Sequence, residues 1–154
     1  MVDPIMPNVP AQVIRTFKIK KEIFQQIVYS LPKSPYETGG FLGGWGNSVC
    51  YCVCDKEKSF YGSYEPNIEL LNCTIKEWYD NNIDFLGIYH THYPYNIYLS
   101  KSDELYIRDI MSSVENITDT LYFPIIIAQK NMYVYKARIY KHNTVIEKDK
   151  LIIE

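Results

Sequence analysis

The sequence is poor in several features that would point to particular partners. Its longest apolar run, LYFPIIIA, stops at eight residues, whereas a membrane-spanning helix needs about 18 or more. Lysine and arginine number 16 against 18 aspartates and glutamates, so the chain lacks the basic excess that binding to a phosphate backbone requires. Four cysteines are too few for a disulfide scaffold. Neither a membrane nor a nucleic acid is therefore expected as a partner.

Residues 1–15, MVDPIMPNVPAQVIR, also lack an export signal. They carry an acidic third residue and three prolines, and they have neither the positive flank nor the apolar stretch of a secretory signal. We expect this segment to be a flexible leader, and the protein to be cytoplasmic with its cysteines as free thiols. Residues 16–154 have the length of a single domain with one hydrophobic core.

Helix-like and strand-like patterns interleave along the chain, which predicts an α/β or α+β class. Apolar residues recur at three- and four-residue spacing in the predicted helices and form short β-rich runs in the predicted strands. The predicted helices span 17–31, 67–82 and 100–114, and the predicted strands span 37–46, 48–55, 83–90, 121–129 and 132–140. The first two strands are expected to form a hairpin. His142 follows the last predicted strand and is expected to be exposed.

Small residues are concentrated in the predicted hairpin. Its first strand contains four glycines, which we expect to permit close packing rather than to cradle a phosphate: Gly39, Gly40, Gly43 and Gly44. Its second strand carries three alternating cysteines, which would share one face: Cys50, Cys52 and Cys54. Half-buried thiols are favoured there over a second metal or redox site, because C-x-C-x-C lacks the C-x-x-C spacing of zinc knuckles. Cys73 is expected to pack within the second helix.

Two of the three histidines stand two residues apart where a predicted strand ends. His90 and His92 would point to the same face of that strand and could approach one ion from the same side. Asp103 is the third ligand candidate, because the intervening loop is long enough to turn the chain back. A catalytic zinc site commonly has three protein ligands and an open position for water. The pattern therefore predicts one Zn²⁺ per chain.

The same residues have ordinary structural interpretations. Ser100-x-x-Asp103 before a helix is also a capping box, and taken alone that is the favoured interpretation. Either His90 or His92 alone would best be explained as a buried histidine with satisfied hydrogen bonds. Capping predicts no upstream histidine pair, so the metal interpretation is favoured for the set. Capping and catalytic roles can coexist at Ser100.

Hydrolysis of an amide at such a centre needs a proton shuttle and a group that stabilises the oxyanion. Glu37, which precedes the glycines, is the candidate general base and acid, and a plain surface carboxylate is the alternative. Ser100 offers a hydroxyl that could stabilise the oxyanion of a tetrahedral intermediate.

The complete pattern resembles the JAMM motif of JAB/MPN-type zinc metalloproteases. In chain order, the matching residues are Glu37, Gly40, Leu42, Gly44, and then His90-x-His92, seven residues, Ser100, two residues and Asp103. The resemblance implies that the two histidines and the aspartate bind zinc, that the glutamate is the general base and later the acid, and that the serine stabilises the oxyanion. It also implies an α/β fold, the deaminase-like sandwich with a curved mixed β-sheet and helices on both faces.

Members of this family cleave isopeptide or peptide bonds after the C-terminus of ubiquitin or a ubiquitin-like protein. The chain resembles the compact bacterial and archaeal members. Some of these stand beside E1- and E2-like proteins in anti-phage operons, including the CBASS type, where the peptidase removes a conjugated cyclic-nucleotide synthase from its targets. Many members have proline directly after the second histidine and directly before the serine. Here Tyr93 precedes Pro94, and Leu99 precedes Ser100, so the loop and the substrate groove depart from the common pattern.

Two other functions compete with a metal-dependent hydrolase. A non-catalytic scaffold of the same fold would be expected to have a broken ligand set, whereas all three ligand positions are filled here. A deaminase of related fold would carry the signature H-x-E…P-C-x-x-C, which this sequence lacks. The favoured prediction is a JAMM-type isopeptidase.

Overall fold

The structure, a computed structural model, describes residues 16–31, 36–61, 63–92, 96–127 and 130–154. The helices of this part are α1 (Lys21–Tyr29), α2 (Ile68–Asp80) and α3 (Lys101–Ser113). The strands are β1 (Phe17–Ile19), β2 (Tyr36–Trp45), β3 (Ser48–Tyr61), β4 (Ser63–Tyr64), β5 (Asp84–His92), β6 (Thr120–Ile127), β7 (Met132–Tyr140), β8 (Asn143–Asp149) and β9 (Leu151–Ile153). No described helix has the length and apolar character that crossing a membrane requires.

Some predicted features lie outside the described residues. These are the leader at 1–15, the loop positions 93–95 and the strand end at 128–129.

The strands form one mixed sheet in the order β8-β7-β6-β5-β2-β3-β1-β9, with β4 paired to β3. β5 pairs with β6 in parallel and with β2 antiparallel, so the strand that carries the histidine pair lies in the middle of the sheet. The sheet is curved and nearly barrel-shaped. A central strand is held by hydrogen bonds on both sides, which makes it a rigid support for functional side chains.

The helices cover both faces of the sheet, which confirms the predicted fold class. On one face, a hydrophobic cluster joins the sheet to α2 and α3, whose contributions include Leu71, Trp78, Ile107 and Met111. On the other face, Ile27 of α1 lies in a second cluster. Consecutive strand residues such as Phe41 and Leu42 enter different clusters, as the alternation of side chains along a strand requires.

The predicted first helix is wrong over its first residues. Phe17–Ile19 forms a strand that pairs in parallel with β3 and with β9, and the helix begins only at Lys21. Phe17 and Ile19 are both fully buried. Their two-residue spacing is typical of a strand, but Ile19 also continues the four-residue spacing of the helix that follows, so the local pattern fits both structures. The partners that decide between the two lie far away in sequence.

The chain also continues as sheet beyond the last predicted strand. His142 does not follow the final strand but lies in the turn between β7 and β8, with a positive φ of 68°. It is exposed there, as predicted. β8 and β9 escaped detection because their residues are half-buried or exposed, so their sequences lack a strong apolar run.

The cysteine predictions are partly confirmed. The side chains of Cys50, Cys52 and Cys54 are half-buried thiols, not disulfides, and Cys54 Sγ lies 3.5 Å from the Tyr89 hydroxyl, which donates to it. Cys73 was expected to pack, and this is wrong, because it is exposed on α2. The helix instead turns its neighbour Thr74 towards the interior, together with Leu71 and Trp78.

Candidate metal centre

His90 and His92 both lie on β5 and project their side chains from the same face of the sheet. His90 lies opposite Gly39 of β2 and Ile125 of β6, and His92 lies opposite Ile127 of β6. Their exposed fractions are 0% and 4%. The two-residue spacing on a doubly paired strand therefore places both imidazoles in the protein interior on the same side.

The start of α3 brings Asp103 to the histidines. Ser100 is the N-cap of this helix, and its hydroxyl accepts a hydrogen bond from the Asp103 N–H at 3.0 Å. The Ser100 N–H in turn donates to Asp103 Oδ2 at 2.9 Å. The capping box is thus present, and it fixes the side chain of a buried carboxylate. Ser100 itself is exposed.

Three side chains meet within hydrogen-bonding distance. The Nε2 atoms of His90 and His92 lie 2.9 Å apart. His90 Nε2 lies 3.2 Å from Asp103 Oδ1, and His92 Nε2 lies 2.9 Å from Asp103 Oδ2. The structure therefore brings together the three residues that the sequence nominated as metal ligands.

Glu37 lies at the same cluster. One of its carboxylate oxygens and one ring nitrogen from each of His90 and His92 lie within 4.8 Å of one another, so Glu37 could also offer an oxygen to an ion held by the histidines. The side chain of Glu37 is half-buried, on β2 beside β5. Burial raises the pKa of this carboxyl above its usual value, although the nearby His92 and His90 lower it. A raised pKa suits a group that must accept a proton and release it again.

The other ring nitrogens are also held. His92 Nδ1 lies 3.0 Å from the carbonyl oxygen of Asn96, so it donates to that oxygen and leaves Nε2 with a lone pair. His90 Nδ1 lies 3.3 Å from the hydroxyl of Tyr106. Partners of this kind orient metal-binding histidines and select their tautomer.

Asp103 and His92 shift each other's titration. Burial alone would raise the pKa of Asp103, but hydrogen bonds from His90 and His92 outweigh it and hold this pKa well below its usual range. Burial alone would lower the pKa of His92, but the hydrogen bond and the charge of Asp103 raise it above its usual value. The carboxylate is therefore ionised at neutral pH.

A glycine allows an aromatic ring to cover His90. The ring of Tyr64 stacks on the imidazole of His90 with centroids 6.0 Å apart and planes inclined by 11°, and its hydroxyl donates to Asp55 Oδ2 at 2.9 Å. A Cβ at Gly39 would lie 2.5 Å from the Tyr64 ring and 2.4 Å from the Tyr89 carbonyl oxygen. The prediction that these glycines permit close packing is confirmed here.

Sequence reasoning did not single out Tyr64, Asn96 or Tyr106. A signal existed for Tyr106, which follows Asp103 by three residues and therefore lies on the same face of the helix. Tyr64 and Asn96 come from segments whose paths no local pattern reveals.

The donor set fits a metal ion such as zinc. Two imidazole nitrogens and a carboxylate form a common zinc ligand set, and tetrahedral ligands at about 2.0–2.1 Å from the ion lie roughly 3.4 Å apart. The two Nε2 atoms lie 2.9 Å apart, and each lies 2.9–3.2 Å from one oxygen of Asp103, so small outward shifts of the side chains would make room for an ion.

Comparisons with known proteins identify the fold. No protein-family model and no curated protein matches the chain by sequence. Its structure is similar to that of a protein from Desulfitobacterium hafniense, with a TM-score of 0.62 and 16% identity over 90% of this chain and 92% of that one. It is also similar to a JAB1/MPN domain protein from Archaeoglobus fulgidus, with a TM-score of 0.50 and 13% identity over 90% and 98% of the two chains.

A further similar structure is described as a metalloprotease-like zinc site in the proteasome and signalosome. Its TM-score is 0.47 and its identity is 12%, over 91% of this chain and 99% of that one. The first two similarities cover nearly the whole of each chain, and the Archaeoglobus protein carries the domain that the sequence motif predicted. The chain therefore has the fold of a JAB1/MPN domain.

Proposed function

We propose that the protein is a zinc-dependent isopeptidase that cleaves after the C-terminus of a ubiquitin-like modifier. The observation that carries the proposal is the convergence of His90, His92 and Asp103 within 2.9–3.2 Å of one another, with Glu37 at the same cluster. A scaffold has no need for a half-buried carboxylate with a raised pKa beside three buried ligand groups.

The chain's own residues would divide the work as follows. His90, His92 and Asp103 would hold the ion, which supplies Lewis acidity for the carbonyl and for water. Glu37 would take a proton from the attacking water and deliver it to the leaving amine. The Ser100 hydroxyl accepts from the Asp103 N–H, which leaves its own hydrogen free to donate to an oxyanion.

The biological setting belongs to the same proposal. The resemblance to compact prokaryotic members supports a cytoplasmic role beside E1- and E2-like proteins. There the enzyme would deconjugate a modified protein, such as a cyclic-nucleotide synthase in anti-phage defence.

Cleavage assays with modifiers from the same genome would test the function. Each candidate ubiquitin-like protein is fused through its C-terminus to a reporter and incubated with the zinc-loaded protein. We expect cleavage at the modifier's C-terminus that a chelator stops and that added zinc restores. Glu37→Gln is the matched control, and it should lose cleavage by about 100-fold or more while it still binds zinc. A zinc-loaded wild type that cleaves none of the fusions would contradict the proposal, and a protein that binds no zinc would favour the scaffold.

A further inference from the structure

His90 is fully buried, so its Nδ1 atom needs a hydrogen-bond partner from the protein. Its exposed fraction is 0%, and Tyr64 covers one face of its ring. Buried polar atoms are almost always hydrogen-bonded. The partner of Nδ1 in the described structure is the hydroxyl of Tyr106, at 3.3 Å.

Tyr106 is itself held in a fixed orientation. Its ring meets the imidazole of His90 edge-on, with centroids 5.9 Å apart and planes inclined by 79°. It packs in the same way against Phe123, at 6.1 Å and 75°, and against Tyr64, at 6.5 Å and 81°. Contacts with three rings leave the hydroxyl little freedom to move away from His90.

The position of Tyr106 on α3 links it to the proposed ligand Asp103. The two residues are three positions apart on the helix and therefore lie on one face, one turn from each other. The same helix thus presents an oxygen to each nitrogen of His90: Asp103 Oδ1 lies 3.2 Å from Nε2, and the Tyr106 hydroxyl faces Nδ1.

We infer that Tyr106 is a positioning residue that holds His90 in the tautomer required for binding metal. This inference rests on the proposed zinc centre. A metal binds the lone pair of Nε2, so the proton of the neutral ring must sit on Nδ1. The Nδ1–H then donates a hydrogen bond to the Tyr106 oxygen. Without the ion, Nε2 can carry the proton towards Asp103, and the hydroxyl then donates to Nδ1. A hydroxyl both donates and accepts, so Tyr106 matches His90 in both states.

The test compares zinc affinities, measured by competition with a chromogenic chelator. Tyr106→Phe keeps the packed ring and removes the hydroxyl, and we expect it to weaken zinc binding by about 10- to 100-fold, as for other outer partners of metal-binding histidines. Tyr89→Phe is the matched control. Tyr89 is buried next to His90 on β5, but it lies in the cluster on the other face of the sheet, and its hydroxyl donates to Cys54 Sγ. The control should bind zinc as the wild type does.

A second measurement separates positioning from a general loss of structure. In the ¹⁵N-labelled zinc-loaded protein, we expect the His90 Nδ1 proton to give a resonance protected from exchange with water. In Tyr106→Phe this proton should exchange faster, whereas Tyr89→Phe should leave it unchanged. Equal affinity and equal protection in wild type and Tyr106→Phe would overturn the inference and leave the zinc centre standing. An equal loss in both variants would also overturn it, and a wild type that binds no zinc would overturn the centre and the inference together.

Discussion

Each imidazole of the centre has a partner at both of its nitrogens. The outer nitrogens face Asn96 and Tyr106, and the inner nitrogens face each other and Asp103. A side chain that is held at both ends loses little additional freedom when it binds an ion. The orientations of the two rings are therefore set before any ion arrives.

The identity of the third ligand can be tested by a pair of substitutions. Asp103→Asn removes the charged oxygens that lie 2.9–3.2 Å from both histidines, so we expect zinc affinity to fall by more than the roughly 10- to 100-fold typical of outer partners. Glu37→Gln should keep zinc bound. Metal content and affinity of the two purified variants would be measured. If Glu37→Gln lost zinc and Asp103→Asn kept it, the third ligand would be Glu37.

The stability of the zinc-free protein should depend on pH through the pair of His92 and Asp103. The lowered pKa of Asp103 stabilises the fold above its usual value of 3.8, and this contribution is lost as the pH falls. The raised pKa of His92 stabilises the fold below its usual value of 6.5, and this contribution is lost as the pH rises through the folded-state pKa. The pair should therefore contribute most between about pH 4 and 6.5.

Thermal unfolding in the presence of a chelator would measure this dependence. We expect the Tm to fall as the pH is raised from 6 to 8.5, and the fall should be smaller in His92→Gln, which cannot titrate. Zinc affinity should rise over the same interval, because the ion competes with the proton on His92. An identical pH profile in the wild type and His92→Gln would contradict the prediction.

At the scale of elements, the site depends on the close approach of β2 and β5. Gly39 lies opposite His90, and a side chain there would collide with the Tyr89 carbonyl and with the Tyr64 ring. The absence of a side chain at Gly39 thus allows β2, which carries Glu37, to pack closely against β5, which carries His90 and His92.

Gly39→Ala should damage both the fold and the site. We expect a loss of about 1–3 kcal/mol in the free energy of unfolding, measured by urea denaturation, together with weaker zinc binding by the folded protein. Gly43→Ala is the matched control on the same strand. The new Cβ would lie 2.9 Å from the Trp78 ring. Gly43 pairs with Phe85 on β5 and not with the part of β5 that carries the histidines. It should lose stability but keep its zinc affinity, and a loss of affinity equal to that of Gly39→Ala would contradict this assignment.

At the scale of the whole molecule, the centre connects parts of the chain that are far apart in sequence. Glu37 comes from β2, the histidines come from β5, and Asp103 comes from α3. An ion held by the histidines and Asp103 would connect the sheet to the helix that covers it. Binding to the folded state alone raises stability in proportion to the logarithm of ligand concentration.

Zinc should therefore raise the unfolding temperature of the entire domain. At a free zinc concentration about 100 times the Kd, we expect a gain of about 2.7 kcal/mol, seen as a single cooperative transition at higher temperature. His90→Gln serves as the control and should show no gain. A zinc-induced rise of the same size in that variant would place the ion elsewhere.

Local patterns were sufficient to predict that His90, His92 and Asp103 lie together, and they predicted most of the sheet. The spacing of His90, His92 and Asp103 indicated a shared ion because a strand repeats every two residues and a capped helix start fixes its third residue. The close packing at the glycines and the hairpin of β2 and β3 could also be predicted from local sequence. Phe17–Ile19 could not be predicted, because its strand state depends on pairing with distant segments. β8 and β9 could not be predicted because their residues are half-buried or exposed.

The sequence by itself determined which side chains could bind an ion and on which elements they lie, since these features depend on short-range periodicity and turn chemistry. Only the tertiary structure decided that Tyr106 and Asn96 hold the outer nitrogens of the histidines and that Tyr64 covers His90. These contacts arise where separate elements pack together. Their distances depend on the curvature of the sheet and on the position of α3 against it, and no local stretch of residues specifies either.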